Sequence, residues 1–112
     1  MKYLKKLDLG QNRIRRIQNI TQLVSLTQLS LENNEISRLD GLEDLQCLME
    51  LYMGNNMLCD IKEIIKLKDL QRLIILDISG NNFSIHRVKN HRIYCIFHLR
   101  KLRVLDGISI DP

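Results

Sequence analysis

The sequence of 112 residues is long enough for one folded domain. Its composition is 45% hydrophobic but only 4% aromatic, with no Trp, so its core has to be aliphatic. No apolar run approaches the ~20 residues that span a membrane, and the first residues lack the apolar stretch of a signal peptide, so neither a membrane span nor secretion is expected.

One pattern of five fixed positions recurs four times along the chain. Each copy has the form Leu-x-x-Leu-x-apolar-x-x-Asn-x-apolar, where x is any residue. The copies begin at Leu4, Leu26, Leu48 and Leu73. Their asparagines are Asn12, Asn34, Asn56 and Asn81, which lie 22, 22 and 25 residues apart. Such self-similarity predicts repeats that stack on one another.

Each part of the pattern has a physical reason. The alternation in Leu7-Asp8-Leu9 predicts a strand with one buried face. The Asn follows the point where the chain leaves the strand, and its amide offers donors and an acceptor to the turn backbone. The four asparagines are therefore predicted to form a structural ladder.

The segments between strands place an apolar residue at every third position, as in Ile14, Ile17 and Ile20. This spacing suits turns of a 3₁₀ helix better than an α-helix. The third repeat is longer by three residues and keeps the same phase. The extra length favours a true α-helix in that segment.

Residues 4–83 resemble the SDS22-like class of intracellular leucine-rich repeats, and the segment after them resembles the C-terminal cap of that class. The match to the cap motif runs from His91 to Gly107, with departures at His91, Cys95 and Arg100. The resemblance implies an α/β solenoid: an arc with a parallel sheet on its concave face, a 3₁₀ or helical convex side and a helical cap. Residues 1–83 would hold about three and a half to four repeats, and residues 84–112 the cap. The resemblance implies structural roles in the cap for Arg92, Tyr94, Leu105 and Asp106.

Solenoids usually bind partners on the concave sheet. The residues flanking the middle Leu of each strand are expected to point outward there. The candidate partner-binding residues are Lys6, Asp8, Gln28, Ser30, Glu32, Glu50, Tyr52, Ile75 and Asp77. Tyr52 beside Ile75 would be one apolar centre on a mildly acidic face, a pattern typical of an interaction hot spot. The alternative is an ordinary surface position, because single exposed apolar residues are common.

The basic residues concentrate near the C-terminus: residues 84–105 hold six of the 17 basic residues and no acid. The segment fits a capping helix with a solvated charged face better than a nucleic-acid site, because exposed aromatic residues for base stacking are missing. His91, Cys95 and His98 would share one helix face, which is compatible with zinc. No fourth ligand is evident, and the resemblance places a core residue at Cys95, so no metal or other cofactor is expected. No catalytic motif is present, and an enzyme is not expected.

The sequence therefore predicts a module that binds another protein, with nucleic acid disfavoured and no membrane partner. The alternatives are a structural segment that extends a longer solenoid and a ribonucleoprotein scaffold, since the resembling class includes spliceosomal, ciliary and centrosomal proteins. The first repeat starts without a polar cap, so a piece of a longer protein is expected. The three cysteines are odd in number and widely spaced, which favours a reducing compartment: the cytoplasm first, then the cilium, centrosome or nucleus.

Overall fold

The computed structural model describes residues 3–83 and 91–110. Within them, six short strands form one sheet in chain order: β1 (Lys6–Asp8), β2 (Gln28–Ser30), β3 (Glu50–Tyr52), β4 (Ile75–Asp77), β5 (Val104–Leu105) and β6 (Ile108–Ser109). The first five strands are parallel, and β6 turns back antiparallel to β5. A 3₁₀ helix (Ile61–Leu67) lies between β3 and β4, and helix α1 (His91–His98) precedes β5. The predicted leucine-rich-repeat fold is confirmed.

The strand register follows the repeat directly. The middle leucines of neighbouring strands stand opposite one another: Leu7, Leu29, Leu51, Leu76 and Leu105. From β2 to β5 these side chains are fully buried, and they face an aliphatic core made by the convex turns. Leu7 on β1 is only half-buried. The flanking residues point to the opposite face of the sheet, because successive side chains of a strand alternate.

The α-helix expected in the longer third repeat is wrong. The segment forms a 3₁₀ helix whose buried residues are Ile61, Ile64 and Leu67. A spacing of three places these side chains on one line of a helix with three residues per turn, whereas an α-helix would rotate them away from the core. Asp60 starts the helix, since its side chain accepts a hydrogen bond from the backbone N–H of Lys62 at 2.9 Å.

A second repeating position was not evident from the apolar pattern. The residue before each ladder Asn has a left-handed backbone: Gln11, Asn33, Asn55 and Gly80 have φ values of 59°, 59°, 56° and 72°. Asn and Gly adopt this conformation most readily, which explains the Asn-Asn and Gly-Asn pairs in the later repeats. An added Cβ at Gly80 would also overlap Oδ1 of Asn55, so any larger residue there would require that side chain to move.

The predicted cap, residues 84–112, is described only in part, because residues 84–90 and 111–112 lie outside the described residues. The division of the chain at residue 83 stays a prediction. In the part of the chain that is described, no helix is long and apolar enough to cross a membrane.

Candidate functional site

The outward side of the sheet, here called the concave face, brings the predicted partner-binding residues together. One row runs across Lys6, Gln28, Glu50, Ile75 and Val104, and the next across Asp8, Ser30, Tyr52 and Asp77. Glu32 follows β2 and borders the second row beside Asp8 and Ser30. The side chains on β1 are exposed, whereas those on β2 to β4 are half-buried.

Tyr52 lies near the middle of the concave face and is fixed by a neighbour. Its hydroxyl donates a hydrogen bond to Oε1 of Glu50 at 2.5 Å. This hydrogen bond, partial burial and the negative charges of Glu50, Asp77 and Glu32 raise the pKa of Tyr52 to about 12. The ring is therefore held in one orientation within a negative electrostatic field.

Two acids of the concave face also shape the turns where the chain leaves the strands. Oδ1 of Asp8 accepts a hydrogen bond from the N–H of Gly10 at 2.9 Å. Oδ1 of Asp77 accepts hydrogen bonds from the N–H and the hydroxyl of Ser79, at 2.9 and 2.6 Å. These are Asx turns, so Asp8 and Asp77 combine a structural role with their surface charge. An Asp followed two residues later by Gly or Ser was the available sequence signal.

The asparagines connect each repeat to the one before it. Oδ1 of Asn34 accepts a hydrogen bond from the N–H of Ile14 at 3.0 Å, and its Nδ2 donates to the carbonyl of Leu9 at 3.0 Å. Asn56 and Asn81 make the corresponding contacts one and two repeats further on. Among the residues that the structure describes, Asn12 donates only to carbonyls of its own turn. Three of the four asparagines thus form cross-repeat rungs.

Asp106 lies in the cap, where the parallel part of the sheet ends. In earlier repeats the residue after each strand donates its N–H to a backbone carbonyl of the next strand, as Leu9 does to Ser30 at 2.8 Å. The N–H of Ile78 instead donates to Oδ1 of Asp106 at 2.7 Å. Asp106 has a φ of 52°, so its backbone turns away at this point. Its carboxylate therefore takes the place of the backbone carbonyl that accepts the corresponding hydrogen bond in the earlier repeats. Its Oδ2 lies 2.8 Å from Nε2 of His91.

The other three predicted cap residues surround this contact. Leu105 is fully buried, and Arg92 donates to the carbonyls of Leu105 and Ser109 at 3.1 and 3.2 Å. Arg92 thereby joins helix α1 to the hairpin of β5 and β6. Tyr94 is half-buried against the core, and its ring centroid lies 4.4 Å from that of His98.

Comparison with known proteins identifies the family. The sequence pattern of the family described as Leucine-rich repeat matches residues 2–110. The chain belongs to the leucine-rich-repeat family.

Solved leucine-rich-repeat structures resemble this one over nearly its whole length. The Drosophila melanogaster SNF/U2A′ complex matches with a TM-score of 0.78 and 24% identity, covering 95% of this chain and 74% of that chain. An internalin C2 from Listeria monocytogenes matches with a TM-score of 0.72 and 26% identity, covering 91% and 41%. A Leptospira interrogans leucine-rich-repeat protein matches with a TM-score of 0.66 and 30% identity, covering 94% and 25%. The chain therefore spans less than half of the two bacterial proteins, and the Drosophila likeness carries the fold alone.

The three residues considered for zinc do not converge in the leucine-rich-repeat cap. His91 contacts Asp106, while the ring of His98 contacts Tyr94. Cys95 is fully buried, and burial followed by the charge of Asp106 raises the pKa of its thiol to about 12. Among the described residues, no group of three or more His, Cys, Asp or Glu side chains could hold a metal ion.

A cluster of ion pairs joins the second and third repeats on the convex side. Nζ of Lys66 lies 2.9 Å from Oδ1 of Asp40 and 2.7 Å from Oε1 of Glu63. The same Glu63 oxygen accepts the N–H of Leu39 at 2.8 Å, so the longer third repeat is fastened to the second. The hydrogen bond from Lys66 lowers the pKa of Asp40 below its usual value. Lys66 is therefore a structural residue. Lys62, on the same side, is exposed and is suitable as a control position for substitutions.

Proposed function

We propose that the protein is a non-enzymatic interaction module that docks a basic segment of a partner protein on the concave face. Tyr52 and Ile75 would form the contact centre, and the surrounding acids would select the partner's charge. The observation that carries this proposal is the fixed ring of Tyr52, held by Glu50 within the negative field of the strand-end acids.

A fixed aromatic ring favours binding because little conformational entropy is lost when a partner covers it. Ile75 stands opposite Glu50 in the register of β3 and β4, so an apolar surface adjoins the Tyr52–Glu50 pair. Anchors of this kind, surrounded by polar side chains, provide most of the binding energy in protein interfaces. Tyr52 is thus the residue whose removal should cost most.

The charges of the concave face indicate the chemistry of the partner. Four acids, Asp8, Glu32, Glu50 and Asp77, lie on or beside the strands, and Lys6 is the one base among the predicted contact residues. Complementary charge accelerates association and discriminates against partners of the wrong sign. A partner segment rich in Lys or Arg fits this face.

We also propose that the chain belongs to the SDS22-like class and works in the cytoplasm, with the cilium or centrosome and the nucleus as alternative locations. The 22-residue spacing of the first three asparagines supports the class. The free thiols of Cys47, Cys59 and Cys95 support a reducing compartment.

The binding proposal is tested with a partner captured by proximity labelling in ciliated and non-ciliated cells. Replacing Tyr52→Ala or Ile75→Asp should weaken its affinity by about 2 kcal/mol, a factor of roughly 30. Tyr52→Phe should retain more affinity than Tyr52→Ala, because the ring remains while the hydrogen bond to Glu50 is lost. The matched control is Lys62→Ala, at an exposed position on the 3₁₀ helix. Full affinity in both concave variants, with unchanged circular dichroism, would reject the site.

A second candidate function is that of a segment extending a longer solenoid. It is favoured by β1, which pairs only with β2 among the described residues and has a half-buried Leu7 where Leu29 is fully buried. In that case the concave variants would leave partner binding unchanged. Joining an additional repeat ahead of β1 would instead raise the unfolding midpoint, because neighbouring repeats stabilise one another.

A further inference from the structure

A groove at the C-terminal end of the sheet differs in chemistry from the concave face. It has a volume of about 1020 Å³, and its apolar wall includes Ile74, Ile96, Val104 and Ile110. Val104 stands opposite Ile75 in the register, so the groove begins where the concave row ends. The four side chains are only half-buried, and apolar surface in a concave site favours binding of a ligand that removes it from water.

In the described part of the chain, the charged residues that line the groove are all basic. Arg100, Lys101 and Arg103 line it, and all three are exposed. Asp106 is the acid in the described part of the cap, and its carboxylate contacts Ile78 and His91 rather than any of the three cations. Among the described residues, no ion pair joins Arg100, Lys101 or Arg103 to an acid. Three cations against one carboxylate leave a net positive charge, so the groove presents a positive field.

Contacts within the cap hold two of these cations near the groove. The guanidinium of Arg100 lies 5.9 Å from the centre of the Phe97 ring, and Nζ of Lys101 lies 2.5 Å from Oε1 of Gln71. Both contacts leave positive charge available, because a ring and an amide carry no net charge. An incoming carboxylate would therefore meet cations that are already positioned.

We propose that this groove binds an acidic amphipathic segment of a partner protein. Apolar side chains of the segment would cover Ile96 and Val104, and its carboxylates would pair with Arg100 and Arg103. Arginine suits this role because its planar guanidinium can donate two parallel hydrogen bonds to one carboxylate. The inference is independent of the concave face, which has the opposite charge and requires a basic partner.

An anionic bilayer is the competing occupant, because Ile93 and Phe97 are exposed beside the same basic residues. The shape favours a peptide. The apolar side chains line a concavity, which a peptide can fill and the broad surface of a bilayer cannot.

Fluorescence anisotropy with the full chain tests the proposal. The probe is a labelled peptide of about 14 residues, with Glu and Leu spaced to form an amphipathic helix of about four turns. A second peptide carries Gln in place of every Glu. We expect the acidic peptide to bind with a Kd below about 100 µM and the Gln peptide at least tenfold more weakly, because only the former carries carboxylates.

Charge reversal in the groove locates the site. Arg100→Glu and Arg103→Glu should each weaken binding of the acidic peptide at least fivefold and reduce its salt dependence. The matched control, Lys62→Glu, makes the same change of charge at an exposed position on the convex side and should retain the affinity. Circular dichroism and the unfolding midpoint show whether each variant is folded. An Ile96→Ser variant supplies an independent apolar test and should also weaken binding.

Three results would overturn the proposal. The first is a Kd above about 1 mM for the acidic peptide, and the second is equal loss of affinity in the Lys62→Glu control. The third is co-sedimentation with phosphatidylcholine vesicles containing about one third phosphatidylserine, without peptide binding, which would assign the surface to a membrane.

Discussion

Replacing Asn34 tests the ladder that joins the repeats. Asn34→Ala removes four hydrogen bonds, one accepted from Ile14 and three donated to the carbonyls of Leu9, Leu31 and Glu32. The three carbonyls keep other donors: Asn12 for Leu9, Asn56 for Leu31 and Gln11 for Glu32. The N–H of Ile14 loses the acceptor that it has in the structure. The cost therefore comes mainly from one unpaired N–H and from the space left by a side chain that is 7% exposed.

The magnitude follows from those two contributions. An unsatisfied donor costs about 1–3 kcal/mol when buried, and Ile14 is half-buried, so with the lost packing we expect Asn34→Ala to lower the free energy of unfolding by about 1–3 kcal/mol. Asn12→Ala is the matched control, because Asn12 occupies the same repeat position but is exposed and contacts only its own turn. It should cost less than about 1 kcal/mol. Asn33→Ala places Ala at a left-handed φ and should cost about 1 kcal/mol without affecting the ladder.

Urea unfolding followed by circular dichroism measures all three variants on one scale. The expected order of destabilisation is Asn34→Ala first, then Asn33→Ala and Asn12→Ala. Equal free energies of unfolding for Asn34→Ala and Asn12→Ala would refute the reasoning, because cross-repeat contacts are what distinguish the two positions.

Three further predictions concern the cap, a turn and the concave face. Asp106→Ala should destabilise the protein by about 1–3 kcal/mol, since it leaves the N–H of Ile78 without its acceptor; hydrogen exchange at that amide should accelerate, and unchanged protection would contradict the assignment. Gly80→Ala should lower the urea midpoint, because Ala is strained at a φ of 72° and its methyl would overlap Oδ1 of Asn55; a midpoint at or above that of the unchanged chain would contradict this reasoning. The pKa of Tyr52 lies above its usual 10, at about 12, so its stabilising contribution is complete below pH 10 and is lost as the pH rises to 12. Glu50→Gln should lower that pKa in an ultraviolet titration read against Tyr52→Phe, whereas an unchanged titration would exclude Glu50 as the cause.

The concave face shows which features the repeat pattern predicts and which it does not. Alternation around each middle Leu predicted which side chains point outward, because a strand allows only two faces. It did not predict that Tyr52 donates to Glu50, since two side chains on the same face of one strand can equally turn to solvent or to a partner. The role of Asp77 in its turn was missed for a similar reason: its charge was evident, but its contact with Ser79 depends on the local backbone.

The sequence by itself determined the repeats, the buried leucines and the position of the asparagines, and its resemblance to a known class implied the parallel sheet. This was possible because each repeat contacts mainly its neighbours, so a one-dimensional pattern carries most of the three-dimensional order. The tertiary structure alone decided the contacts that occur once: the ion pairs of Lys66 with Asp40 and Glu63, and the replacement of a backbone carbonyl by Asp106. These contacts form at two irregular places, the longer third repeat and the cap end of the parallel strands. The repeat pattern does not extend to these places, so it cannot predict which side chains meet there.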